Sequence, residues 1–178
     1  MRLAWTQARK RCAQGLNEAM SQALIADGLK DHLRQLIENW ITAVRDDPRI
    51  ESDEKLSNPE LIDHVPAIIE EIGQLIRRGE TPGVRNIPEA RVNVYTRFHQ
   101  GYKGRDLIRE LSLLRITLLD YLMEISSDEP GGVAAKERHE AATILNLYLD
   151  EEMRYAITVY CNPSSASREE SSVGDSTV

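Results

Sequence analysis

The chain has 178 residues and a formal net charge of −7, with 41% hydrophobic and 29% charged residues. That suits one globular domain large enough to bury its own core. The acidic balance argues against a nucleic-acid binder, and no apolar run approaches the roughly 18 residues of a membrane span.

MRLAWTQARKRCAQGL, at the start, lacks the apolar core and cleavage site of a signal peptide, so a cytoplasmic protein is expected. Leu16, Met20 and Leu24 hint at a first helix that stops near Gly28. Residues 1–28 are read as an N-terminal helical extension, and whether they join the core is left open. Leu33, Leu36, Ile37, Trp40, Ile41 and Val44 recur at helical spacing, and Asp46-Asp47-Pro48 ends that helix. Asn58 then caps a helix with Pro59 and Glu60 in its first turn, and Ile62, Val65, Ile69, Ile72 and Ile76 mark one face. Pro66 interrupts this run, predicting a kink or two abutting segments. Arg77-Arg78-Gly79 closes it, and residues 79–87 form a loop.

Pro88 opens a helix of about three turns carrying Val92, Tyr95, Phe98 and His99, and Gly101 ends it. Gly104 serves as a weak cap for the next helix, with Asp106 in its first turn. Leu107, Leu111, Leu114, Leu118, Leu122 and Ile125 form its stripe, and residues 128–132 (DEPGG) make a turn. The last helix runs from about Val133 to Tyr160 with two apolar rows. Leu145, Leu149, Met153 and Ala156 belong to one; Ile144, Tyr148, Tyr155 and Val159 form the other. So wide an arc exceeds the need of a one-faced surface helix. Either the helix is central, or the first row is a dimer interface; the second is preferred. Residues 162–178 are polar and read as a disordered tail or linker. No strand pattern and no internal repeat is evident, so the fold class is all-α, with about five to six helices.

Little points to chemistry. None of His32, His64, His99 and His139 follows a Glu by three residues, as a di-iron bundle requires, and none pairs at metal-binding spacing. Cys12 and Cys161 form no motif and read as two reduced, partly buried thiols. There is no nucleophile elbow and no phosphate loop. Glu70-Glu71 and Glu151-Glu152 read as solvated faces. A haem needs only one histidine, leaving His64, beside Pro66, and His99, before the glycine break, as candidate ligands. Arg97, Gly101, Glu110 and Arg115 stand out at the corner between two helices: a fold-back at Gly101 brings Arg97 toward Glu110, an ion pair that pins the corner or, alternatively, a signalling contact.

Trp40, the run from Leu61 to Pro66, Arg97-x-x-Gln100-Gly101-Tyr102 and Leu107-Ile108-Arg109-Glu110-Leu111-x-x-Leu114-Arg115 occur in an order that resembles one family. It is the N-terminal sensor domain of the stressosome RsbT co-antagonist proteins (RsbR-type), with a related domain in bacterial sensor histidine kinases. The resemblance covers residues 29–160 and implies a globin-like bundle without haem, dimeric, passing a signal through its C-terminal helix to a downstream module. Two positions depart from the pattern: Asn93 stands where relatives often have His, and Lys103 where a small or acidic residue is usual. The expectation is therefore a non-enzymatic sensory domain at residues 29–161, homodimeric through its C-terminal helix, with the N-terminal helix as a further candidate for the interface, and with no cofactor, catalytic group or metal. It would be an input domain parted from its output module or a stand-alone regulator. The alternatives are a haem- or ligand-binding sensor using His64 or His99, and a structural adaptor for a partner protein.

Overall fold

The computed structural model describes residues 2–51, 56–83, 87–125 and 133–162, with side chains from residue 15 onward. Among these residues there are seven helices and no strand: α1 (Arg2–Asp31), α2 (Leu33–Asp46), α3 (Asn58–Ile62), α4 (Val65–Arg78), α5 (Pro88–His99), α6 (Gly104–Glu124) and α7 (Ala135–Cys161). Helix α7 packs on α6, α5, α4 and α1, α1 lies along α4, and α2 lies on α6. The turn expected at residues 128–132 and the tail from residue 163 lie outside the described residues.

Helix α1 does not stop at Gly28. It continues to Asp31 and turns into α2 at His32, so a division after residue 28 cuts a continuous helix. The side of α1 that faces the bundle is Ile25, Ala26 and Leu29, all buried, whereas Leu16, Met20 and Leu24 are 63%, 64% and 50% exposed. The row that signalled the helix is its outward face. At Gly28 a Cβ would run into the Tyr121 hydroxyl, so a larger residue there would have to displace the end of that side chain.

The break expected at Pro66 falls between α3 and α4, at Asp63 and His64, and Pro66 sits in the first turn of α4. The cap of α3 is Ser57 rather than Asn58: Glu60 Oε2 accepts hydrogen bonds from Ser57 N–H (2.8 Å) and Ser57 Oγ (2.7 Å). In α6 the leucine row 107, 111, 114, 118 and 122 is buried, and Trp40 of α2 lies fully inside with Nε1 donating to the Glu110 carbonyl at 3.2 Å.

The interface expected on α7 is corrected. Leu145, Leu149 and Ala156 are 0%, 0% and 1% exposed within this single chain, and Met153 is partly buried against the same core. The second row, with Ile144, Tyr148 and Val159, is buried as well. Both rows are used because α7 is enclosed by α1, α4, α5 and α6. Cys161 is exposed rather than partly buried, and the Cys12 side chain lies outside those described.

Candidate functional site

Helix α5 turns into α6 through a glycine-dependent stop. Gly101 has φ +71°, its N–H donates to Phe98 O (3.1 Å) and Tyr102 N–H donates to Arg97 O (2.9 Å). This paired arrangement needs a left-handed residue, and nothing lies within 4 Å of a Cβ added there, so conformation alone selects glycine. Gly104 has another reason. It is the first residue of α6, the cap position is Lys103, and a Cβ on Gly104 would lie 2.9 Å from the Tyr160 ring of α7.

The buried face of α5 is Ala90, Asn93, Val94 and Arg97. Of the apolar residues that marked this helix in the sequence, Val92 is 47% exposed. A polar face turns inward here because it meets polar partners. Arg97 is fully buried: Nη1 donates to Glu60 O (2.9 Å) and Gln100 Oε1 (3.0 Å), and Nη2 donates to Leu61 O and to Glu110 Oε1 (3.2 Å). The guanidinium also lies 5.4 Å from the Tyr102 ring centroid. One side chain thus joins the last carbonyls of α3, the end of α5 and the middle of α6. The planar fork of arginine suits this division among several acceptors.

The pair foreseen across the corner, Arg97 with Glu110, is present. Arg115 is not part of it: it reaches Asp150 and ties α6 to α7 at a half-exposed position. His64 precedes α4, and its Nε2 lies 3.0 Å from Thr96 Oγ1, which links that corner to α5. His99 is exposed, with its ring 4.5 Å from that of Tyr95. Of two surface clefts, one between α1 and α4 (about 240 Å³) is bordered by Pro66 and Gly73, and one between α2 and α6 (about 700 Å³) by His32 and Tyr121. His64 and His99 line neither. Among the described residues no cluster of three His, Cys, Asp or Glu could hold a metal ion.

Sequence reasoning missed Glu152. Read as solvated, it is fully buried, and its Oε1 accepts a hydrogen bond from Asn93 Nδ2 at 2.8 Å. Only Glu151 of that pair is half-exposed, where it meets Arg154. The signal was present: Glu152 follows Tyr148 by four and Leu149 by three, and precedes Ala156 by four, so it shares the inner face. Glu71 is likewise only half-exposed and accepts a hydrogen bond from the Tyr148 hydroxyl. Burial, with help from Glu152 and Glu71, holds the Tyr148 phenol far above its usual range. Tyr160 is pushed up to about 12, by burial first and then by Glu110.

A second polar tie lies at the other side of α6. Asp47, at the end of α2, accepts from Arg49 Nη2 (2.8 Å) and Arg109 Nε (2.6 Å). Its carboxyl sits well below the usual carboxylate range, mainly through the hydrogen bonds from Arg49 and secondarily through Arg109.

These ties hold the helices that carry the sequence pattern Trp40, Arg97-x-x-Gln100-Gly101 and Arg109-Glu110. The model of one family, described as the RsbT co-antagonist protein rsbRD N-terminal domain, matches residues 34–162. The chain belongs to this family. The match takes in α2 to α7 and leaves all of α1, the helix with the exposed apolar row, outside. No curated protein and no solved structure matches the chain. No helix among the described residues is long and apolar enough to cross a membrane.

Proposed function

We propose that this rsbRD-type domain is a non-enzymatic sensory input module of a bacterial signalling protein. It forms a homodimer through α1 and passes a change of helix packing along α7 to a downstream signalling partner. Membership of the family supports a stressosome-type signalling role. The observation that carries the dimer is the row Leu16, Met20 and Leu24, more than half exposed on average and spaced by four residues on a helix whose other side is in the core. Large apolar side chains in line on a helix form the usual seam with another helix.

Helix α7 is suited to the relay because it touches four other helices. Moving it repacks all four contacts at once, which favours discrete alternatives over a continuous drift. Arg97, Glu110, Asn93 and Glu152 set the packing of α5, α6 and α7 by directional bonds, and polar networks of this kind specify geometry more than they add stability.

Sedimentation equilibrium at tens of micromolar tests the reading. A dimer is expected for the wild type, and a monomer of unchanged helicity for the triple variant Leu16→Glu, Met20→Glu, Leu24→Glu. A wild type that is strictly monomeric at that concentration contradicts it.

A further inference from the structure

The interior holds more carboxylate than cation. Where α5, α6 and α7 meet, Asn93, Arg97, Glu110 and Glu152 are all fully buried. Arg97 is the one cation of the four, and its two terminal nitrogens are engaged by Glu60 O, Leu61 O, Gln100 and Glu110. Glu152 receives its hydrogen bond from Asn93 on Oε1, while Oε2 is buried with no hydrogen-bond partner.

The surroundings of Glu152 disfavour a negative charge from several directions. Glu110 on α6 and Glu71 on α4 repel it, against the hydrogen bond from Asn93 and the attraction of Arg97, both on α5. Tyr148, one turn earlier on α7, gives its hydroxyl to Glu71 instead. Helix α1 reaches α7 through Glu18 and Lys136, roughly four turns away from Glu152. A buried carboxylate without a counterion is costly, and the neutral acid removes most of that cost.

The geometry points to Glu152 as a proton-binding site on α7, occupied while α7 is packed against α5 and α6 and emptied when that packing opens. The step is an acid dissociation: the carboxyl O–H bond breaks, the electron pair stays on the oxygen and the proton passes to water. Burial, aided by Glu110 and Glu71 and opposed by the Asn93 hydrogen bond and Arg97, pushes the Glu152 carboxyl up to about 8. The unfolded carboxyl titrates near 4.5. Between these values the folded state binds a proton that the unfolded state lacks, so stability falls as pH rises through the window and levels off above it. Any event that displaces α7 therefore releases a proton near neutral pH, and a rise in pH favours the displaced state. The proton site stands on the geometry alone; only its use in signalling rests on the proposed relay.

The test is a carboxyl ¹³C NMR titration of the full chain, with urea unfolding at about pH 6 and about pH 9. One carboxyl resonance is expected to titrate near pH 8, to persist in Glu71→Gln and to vanish in Glu152→Gln. The wild-type unfolding midpoint should drop between the two pH values, and the drop should shrink in Glu152→Gln. Carboxyls that all titrate below about pH 6, or an equal drop in Glu152→Gln and wild type, would overturn the proposal. If Glu152→Gln does not fold, a high-pH resonance that persists in Glu71→Gln supports the site, and its absence from the wild type counts against it. A monomeric chain that keeps this resonance contradicts the dimer relay and leaves the proton site standing; a dimer without it does the reverse.

Discussion

Four acceptors share the guanidinium of Arg97, and the bonds to Leu61 O and Glu110 are fully buried. Arg97→Met would leave Glu110 inside without its cation and two α3 carbonyls without a donor. A loss of about 3–5 kcal/mol is expected in urea unfolding, and Arg97→Lys should recover only a minor part, because an ammonium cannot span the same acceptors. Gly101→Ala should cost about 1 kcal/mol, the strain of a left-handed residue with open space around it. Gly104→Ala should cost more than Gly101→Ala, since its methyl meets the Tyr160 ring, and in the double variant Gly104→Ala, Tyr160→Ala the excess should shrink. At this scale the Arg97–Glu110 pair was readable, because a glycine stop followed within a few residues by a new helix folds the two side chains toward one another. Arg115 was grouped with them by closeness in sequence, but on α6 it points to Asp150 of α7. Glu152 was lost to the ordinary rule that adjacent acids are solvated; its place in the period of α7 outweighed that rule.

At the scale of elements, periodicity located every long helix, yet it left the inner side of α1 and α5 undecided and put a free interface on α7. On α1 the longer apolar side chains face out and Ile25, Ala26 and Leu29 face in, since the contact with α4 includes Gly73 and admits close approach. On α5 the inner side contains Asn93 and Arg97, whose burial depends on partners from α6 and α7 that no local pattern reveals. On α7 the surplus apolar surface signified enclosure instead of a free interface. The two views of α7 separate experimentally. Leu149→Ala should lower stability by about 2–5 kcal/mol, as a core truncation does, with little change in the concentration dependence of association. Leu24→Ser should leave the stability of the monomer within about 0.5 kcal/mol and weaken association. Paired urea melts and sedimentation runs check both.

For the whole molecule, two acid–base trends of opposite sign follow from the buried groups. Asp47 binds protons less readily when folded, so its contribution is present above the ordinary carboxylate range and is lost as pH falls below it. Glu152 contributes in the other direction, so stability also declines as pH rises toward about 8. Stability should therefore peak on the acid side of neutrality, and Asp47→Asn should flatten the acid limb alone, as read from unfolding midpoints across pH. The all-helical class and the family were legible because helix period, glycine stops and motif order survive without any knowledge of packing. Which apolar row stays uncovered was not, because that depends on how the rest of the chain packs. Cysteine cross-linking tests that central point most directly. With Cys12 and Cys161 replaced by Ser, Met20→Cys should give a disulfide-linked dimer under mild oxidation and Leu149→Cys should remain monomeric. Cross-linking through Leu149→Cys, with none through Met20→Cys, would contradict the account.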